Sequence, residues 1–235
     1  HPVEVWLKKN NDADIMFLSR SMEPEASSTF RQQAAERGIE VRTTTRDQLT
    51  TQTESSHHQG VALSLASMPY STLDELFERA RQRHESPLIV VLDSVTDPHN
   101  LGAVIRSAEA AGFHGVIIPE RRAAGLTGVG VKSSAGAAGL MPVVRVKNLS
   151  RNMDELKKRN VWLYGAESAD NANCFTTDFS GAAAIVVGSE GSGLRRIIRE
   201  KCDFLVSIPI YGKVESLNVS VAAALLMYEV RRSRS

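Results

Sequence analysis

Residues 87–106 read Pro87-Leu88-Ile89-Val90-Val91-Leu92-Asp93-Ser94-Val95-Thr96-Asp97-Pro98-His99-Asn100-Leu101-Gly102-Ala103-Val104-Ile105-Arg106, and they decide the fold class. Leu88 to Leu92 is an unbroken apolar run, the pattern of a strand buried on both faces of a parallel sheet. A polar loop follows, and Asn100 to Ala111 reads as a helix that Asn100 caps and Gly112 stops. Strand, loop and helix in this order open a βαβ unit. The same alternation continues downstream. Strands are expected at Val116–Ile118, Val143–Val146, Val161–Tyr164, Ala182–Val187 and Phe204–Ile208. Helices are expected at Leu149–Arg159, Leu194–Lys201 and Ser216–Arg231, with a Gly/Ala/Ser-rich stretch over Ala123–Gly139. The expected class is α/β, a mostly parallel sheet with helices on both faces. Ligands of such sheets sit beyond the carboxyl ends of the strands.

Upstream, a second and smaller α/β pattern ends near residue 67. It comprises a helix over Val3–Lys9, a strand over Ile15–Leu18, a helix over Pro24–Arg37 stopped by Gly38 and a strand over Ile39–Arg42. A helix over Arg46–Thr53, a loop at His57–Gly60 and a strand over Val61–Leu65 complete it. Residues 68–86 read as a linker and a helix over Thr72–His84, capped by Ser71 or Thr72. The reading is therefore 1–67, 68–86 and 87–235.

Composition narrows the class. The 235 residues are 42% hydrophobic and 23% charged, a globular balance that excludes a disordered chain. No run approaches the ~20 apolar residues of a membrane span. The chain opens on His1-Pro2 rather than Met, which reads as a clipped start with no secretory signal. Cys174 and Cys202 form no CxxC pair and read as reduced thiols of a cytosolic protein. The net charge of +1 hides a split: residues 1–86 carry 10 Lys+Arg against 13 Asp+Glu, and residues 87–235 carry 18 against 14. Of 16 glycines only Gly38 and Gly60 precede residue 87, so close backbone approaches belong to the second part.

Three loops carry the chemistry, each directly after a buried strand. The first runs from Asp93 to Arg106, the second is Gly188-Ser189-Glu190-Gly191-Ser192-Gly193, and the third runs from Ile208 to Ala222 through Ser216-Leu217-Asn218. Arg106 is a cation inside an apolar, small-residue helix, placed either to meet a ligand or to snorkel to solvent. The glycine turn brings backbone N–H groups to a helix start. It matches neither GxGxxG nor GxxxxGK[ST], which argues against a nicotinamide dehydrogenase. The scattered histidines give no metal set, and no GxSxG turn is present.

Together, N-L-G-x-x-x-R at Asn100–Arg106, G-x-E-G-x-G at Gly188–Gly193 and I-P-I…S-L-N-V-S-V-A at Ile208–Ala222 resemble the SpoU/TrmH family of S-adenosylmethionine-dependent RNA ribose 2′-O-methyltransferases. The likeness covers residues 87–235. D-x-V-T-D-P-H-N-L-G and the earlier H-Q-G-V at His58–Val61 look like its RlmB-like subgroup, which modifies a guanosine of large-subunit (23S) ribosomal RNA. The resemblance implies a SPOUT fold whose C-terminal chain threads a trefoil knot, preceded by a small α/β RNA-binding domain lacking its usual first strand region here. It implies S-adenosylmethionine held largely by backbone at Gly188, Gly193, Ile208, Pro209 and Leu217, and a cytoplasmic homodimer joined near the final helix. Catalytic roles fall on Arg106, Asn100, Glu190, Ser216 and Asn218. A guanidinium is a permanent cation and a poor base, so Arg106 is assigned to gripping a phosphate and orienting the ribose hydroxyl. RNA contacts are expected at Arg106, Arg121, Arg122, Lys132 and, with its neighbours His57 and Gln59, at His58. Rival readings are a transfer RNA or antibiotic-resistance ribosomal RNA methyltransferase, and a non-catalytic RNA-binding ribosome-assembly factor of the same fold.

Overall fold

The computed structural model describes residues 2–9, 13–53, 56–64, 69–167 and 172–234. The chain forms two compact units, His1–Met68 and Pro69–Ser235. The expected strand end at Leu65, the domain end at residue 67 and the linker start at Met68 lie outside the described residues.

In the first unit, α1 (Pro2–Lys9), β1 (Ile15–Ser19), α2 (Pro24–Ala35), β2 (Glu40–Thr44), α3 (Arg46–Thr53) and β3 (Val61–Ser64) follow in chain order. The sheet order is β2-β1-β3, with β1 parallel to β2 and antiparallel to β3. Met16 and Leu18 point into a core closed by Phe30 and Ala34 of α2 and by Val3 and Leu7 of α1. Gly38 takes φ +66, which ends the helical segment at little strain.

The second unit begins with α4 (Leu73–Gln82). A capping box fixes its start: Thr72 accepts from the Glu75 N–H, and the Glu75 carboxylate accepts from the Thr72 N–H. The sequence reading treats this helix as part of a connector. Leu76 instead sits fully buried in the core of the second unit, because its apolar face has the sheet to cover. Then come β4 (Leu88–Leu92), α5 (Pro98–Ala110), β5 (Gly115–Pro119), α6 (Gly128–Ser133), β6 (Val143–Val146), α7 (Leu149–Lys158) and β7 (Trp162–Ala166). The chain closes with β8 (Ala172–Asn173), β9 (Ala183–Val187), α8 (Arg196–Arg199), β10 (Phe204–Ser207) and α9 (Val219–Arg232).

The seven strands stand in the order β6-β5-β4-β9-β7-β10-β8, and every neighbouring pair is parallel. β4, β5 and β9 are buried along their whole length. One face packs on α4, α7 and α8 through Leu76, Met153, Leu156 and Ile198. On the opposite side α5 and α9 lie against each other and against β5 and β9.

Four helix expectations are corrected. α5 starts two residues early, because Asp97 caps it through the His99 N–H and Pro98 supplies a preset first turn. Asn100 is thus a third-position helical residue, not the cap. α9 is capped by Asn218, not Ser216; its side chain accepts from the N–H of Ser220 and Val221. The helix expected over 194–201 shrinks to Arg196–Arg199, because Leu194 is drawn into the core and Arg195 is extended. Finally, the glycine-rich stretch 123–139 is not all loop. It contains α6, whose Gly130 and Ser133 approach Gly102 so closely that a Cβ there would meet Ser133 Cβ at 2.4 Å.

Candidate active site

In a parallel sheet all strands end on one edge. Here Leu92 pairs with Val187, Gly165 with Val186 and Val206 with Ala166, so the loops after β4, β9 and β10 leave the same carboxyl edge. The first joint is Asp93, fully buried directly after β4. Its Oδ1 accepts from Arg195 Nε at 2.7 Å and pairs with Nη2 at 2.6 Å, while Oδ2 accepts from the Arg195 N–H at 2.9 Å. Several charge-assisted bonds offset the desolvation of that carboxylate, and they pin the exit of the glycine turn to β4. Sequence reasoning quoted Asp93 without assigning it; an acid ending an apolar strand was the available signal.

The glycine turn folds on itself. Ser189 and Gly193 exchange backbone hydrogen bonds of 3.1 and 3.0 Å. A Cβ on Gly188 would lie 2.1 Å from the Gly193 carbonyl carbon, so only glycine fits. Gly191 and Gly193 take φ +80 and +63. The N–H groups of Glu190, Gly191 and Ser192 meet no acceptor among the described residues.

Glu190 carries the link between the loops. Its Oε1 accepts from Asn100 Nδ2 at 3.2 Å, from Asn218 Nδ2 at 2.5 Å and from the Val219 N–H at 3.4 Å. Asn218 Nδ2 also donates to Asn100 Oδ1 at 3.1 Å. Three side chains from the start of α5, the turn after β9 and the cap of α9 therefore form one closed set. The shift of the α5 start matters here, because it frees the Asn100 amide from capping.

Two expected catalytic residues stay outside this set. Arg106 lies six residues beyond Asn100 on α5, on a face about 120° away from it around the helix axis. Its guanidinium is exposed and has no hydrogen-bond or ion-pair partner among the described residues. Ser216 is exposed and makes no hydrogen bond among them. Ile208, Pro209 and Leu217 are half-buried in the irregular segment between β10 and α9. Residues 208–217 make no backbone-to-backbone hydrogen bond with any described residue. Residues 210–216 are exposed, so only the backbone at Ile208, Pro209 and Leu217 is both half-buried and without a backbone partner, open to a polar ligand.

Of the expected RNA contacts, Arg121 and Arg122 are exposed on the segment after β5, at the same carboxyl edge, and Arg122 takes φ +61. Lys132 is exposed on α6. His58 is corrected: it is buried, its Nδ1 accepts from the Gly60 N–H at 2.9 Å, and its Nε2 lies 3.2 Å from Thr50 Oγ1. The ring is used to hold its own turn. No group of His, Cys, Asp and Glu among the described residues is arranged to hold a metal. None of the described helices is long and apolar enough to cross a membrane.

Comparisons with known proteins give this sheet and loop cluster its class, a methyltransferase acting on RNA with S-adenosylmethionine as cofactor. The SpoU rRNA methylase family model matches residues 87–228, and the model described as RNA 2′-O ribose methyltransferase substrate binding matches residues 1–71. The chain belongs to the SpoU rRNA methylase family. It is 40% identical over 238 residues to the 23S rRNA (guanosine-2′-O-)-methyltransferase RlmB of Shewanella oneidensis, covering 100% of this chain and 95% of that protein. A candidate TrmH family tRNA/rRNA methyltransferase of Bacillus subtilis is 45% identical over 202 residues, covering 86% of this chain and 81% of its own. The crystal structure of the SpoU methyltransferase AviRb from Streptomyces viridochromogenes with AdoMet superposes with TM-score 0.83 at 29% identity, over 99% of this chain and 87% of that one.

The residues present fit the cofactor. The unpartnered amides of 190–192, the unpaired backbone of 208–217 and the half-buried Ile208, Pro209 and Leu217 supply polar and apolar contacts at one sheet edge.

Proposed function

We propose that this protein methylates the ribose 2′-hydroxyl of a guanosine in large-subunit (23S) ribosomal RNA. The observation that carries the reading is the closed set Asn100–Glu190–Asn218, which gathers three distant loops at one sheet edge. The full-length similarity to RlmB supports the guanosine and the ribosomal substrate.

When bound, S-adenosylmethionine supplies an electrophilic sulfonium methyl with its leaving group attached. The backbone at Gly188, Gly193, Ile208, Pro209 and Leu217 would hold it. Asn100, Glu190 and Asn218 fix the three loops against one another, which would keep the cofactor and the ribose hydroxyl in a reactive arrangement. Arg106, exposed and unpaired, grips the phosphate beside the target ribose and orients the 2′-hydroxyl. The proton leaves the 2′-oxygen for a phosphate oxygen held by Arg106 or for a transiently neutral Arg106. Ser216 lends a hydroxyl to the same approach, and Arg121, Arg122 and Lys132 meet the RNA backbone.

The protein acts as a homodimer in the cytoplasm. Val221, Leu225 and Tyr228 make an exposed stripe at i, i+4 and i+7 of α9, suited to a second copy. β9 enters between β4 and β7, and β10 between β7 and β8. Such out-of-order insertion supports a threaded, knotted chain. A second reading, a transfer RNA substrate, has its support in the Bacillus relative. Tritiated-methyl transfer to total RNA from a strain lacking the gene, followed by mapping of the labelled ribose, separates the two. Label at a 23S guanosine 2′-oxygen is expected. Label in transfer RNA moves the substrate, and no transfer to any RNA overturns the proposal.

A further inference from the structure

A cleft of about 360 Å³ lies wholly within the N-terminal unit, where β1 ends, α2 and α3 begin and the turn before β3 passes. Met22, Phe30 and Val61 give it an apolar wall; Glu23, Arg46 and Gln59 give it polar groups, with Glu4, Ser19 and Ser21 beside them. Pockets of this size hold a single small molecule or one flat ring system.

Three of its polar groups, Glu23, Arg46 and Gln59, are unspent; Ser19 and Ser21 are bonded to each other at 2.9 Å. Gln59 takes φ +53, a conformation unfavourable for a residue with a side chain. The buried His58 holds the turn in that shape through Gly60 and Thr50. Gln59 itself is exposed and has no partner among the described residues. Strain held by a locked neighbour is characteristic of ligand clamps. Glu23 sits at the N-cap of α2, yet its side chain makes no cap hydrogen bond. Its carboxylate has no other partner among the described residues, and neither has the Arg46 guanidinium.

An apolar wall beside a free carboxylate, an amide and one cation matches a flat heterocycle with adjacent N–H donors. Guanine has this pattern: N1–H and the N2 amino group suit a carboxylate, and O6 suits an arginine. Adenine offers one donor beside an acceptor, and inosine lacks the N2 amino group. Unpaired bases are the parts of RNA that proteins read in this way. We propose that this cleft binds an unpaired guanine of the RNA substrate, with Glu23 and Gln59 on its Watson–Crick edge and Arg46 on O6 or the adjoining phosphate. The proposal rests on the reading above that the substrate is RNA.

The test uses the full chain, saturated with S-adenosylhomocysteine, titrated into fluorescein-labelled stem-loop RNAs whose loops carry guanosine, inosine or adenosine. Wild type is expected to prefer the guanosine loop about tenfold. Glu23→Gln, nearly isosteric and taking no cap bond away, is expected to weaken that loop about tenfold and erase the preference. Gln59→Gly, which suits the left-handed backbone, is expected to do the same with an unchanged melting temperature. In methyl transfer both variants raise KM for RNA and leave kcat at saturation intact. Equal wild-type binding of the three loops, variants that bind as wild type, or equal losses on all three loops would overturn the cleft. Guanosine-selective binding without methyl transfer to any RNA would instead sink the proposed reaction and leave the cleft standing.

Discussion

Asn218 reaches Glu190 at 2.5 Å across 28 residues of chain while its own Oδ1 accepts from the Ser220 N–H at 2.9 Å and from the Ser220 hydroxyl. One side chain both starts α9 and ties it to the glycine turn. These two duties separate by mutation. Asn218→Ser keeps a capping oxygen and removes both amide donations. Hydrogen bonds to charged groups are worth about 1.5–3 kcal/mol. The variant is therefore expected to lose ten- to a hundredfold (order of magnitude) in S-adenosylmethionine affinity, read by calorimetric titration. Its melting temperature should move by only a few degrees, as roughly expected for a conserved cap. Unchanged affinity would remove the set from cofactor binding.

Arg106 presents the opposite case, an exposed guanidinium with no partner among the described residues. Nothing in the fold requires it, so its replacement should leave stability alone. Arg106→Ala and Arg106→Lys are both expected to lower kcat at least ~100-fold, because lysine lacks the planar fork that holds a phosphate. S-adenosylmethionine affinity should be unchanged. Near-normal turnover by Arg106→Ala would refute its role.

Gly188 and Gly191 share a turn but are glycine for different reasons. A Cβ at Gly188 meets backbone atoms of Gly193 and Leu194 at 2.1–2.4 Å, whereas a Cβ at Gly191 meets nothing within 4 Å and only the φ of +80 resists it. Gly191→Ala is expected to cost about 1 kcal/mol. Gly188→Ala must open the turn, at about 1–3 kcal/mol or more, and should abolish measurable cofactor binding. Equal behaviour of the two variants in calorimetry would contradict that distinction.

The strands and most helices are legible in the sequence because they depend on local periodicity: Leu88–Leu92 reads as buried whatever its neighbours are. Strand order does not. That β9 lies between β4 and β7 depends on pairings with no local trace. The site was legible as three motifs, but not as a bonded set. Asp97-Pro98 held the signal for the true start of α5, and overlooking it put Asn100 at the cap instead of against Glu190. Asn218 and Ser216 compete for the cap, and Asn218 wins by also satisfying Glu190. Arg195 and Asp93, 102 residues apart, could only be paired by the fold. His58 misled because a histidine in a loop resembles a contact residue, whereas its ring is consumed by Gly60 and Thr50.

His114 sets the acid limit of the fold. It is fully buried, and its Nδ1 accepts from the Leu88 N–H at 2.9 Å. Its Nε2 lies 3.5 Å from Glu85 Oε2. Burial pushes its pKa down to about 4; Glu85 pulls the other way, and Arg83, Arg231 and Arg79 add to the depression. In the unfolded chain the same ring titrates near about 6.5. Below that pH the unfolded state takes up a proton that the folded state refuses. Stability is therefore full above pH ~6.5 and falls as the pH drops towards ~4, by a total of about 3 kcal/mol. His114→Asn offers an acceptor for the Leu88 N–H and does not titrate. Urea unfolding at a series of pH values should show a slope between pH ~4 and ~6.5 that is shallower in the variant by up to about 1.4 kcal/mol per pH unit. Parallel curves for the two proteins would mean that His114 is not what makes the fold acid-sensitive.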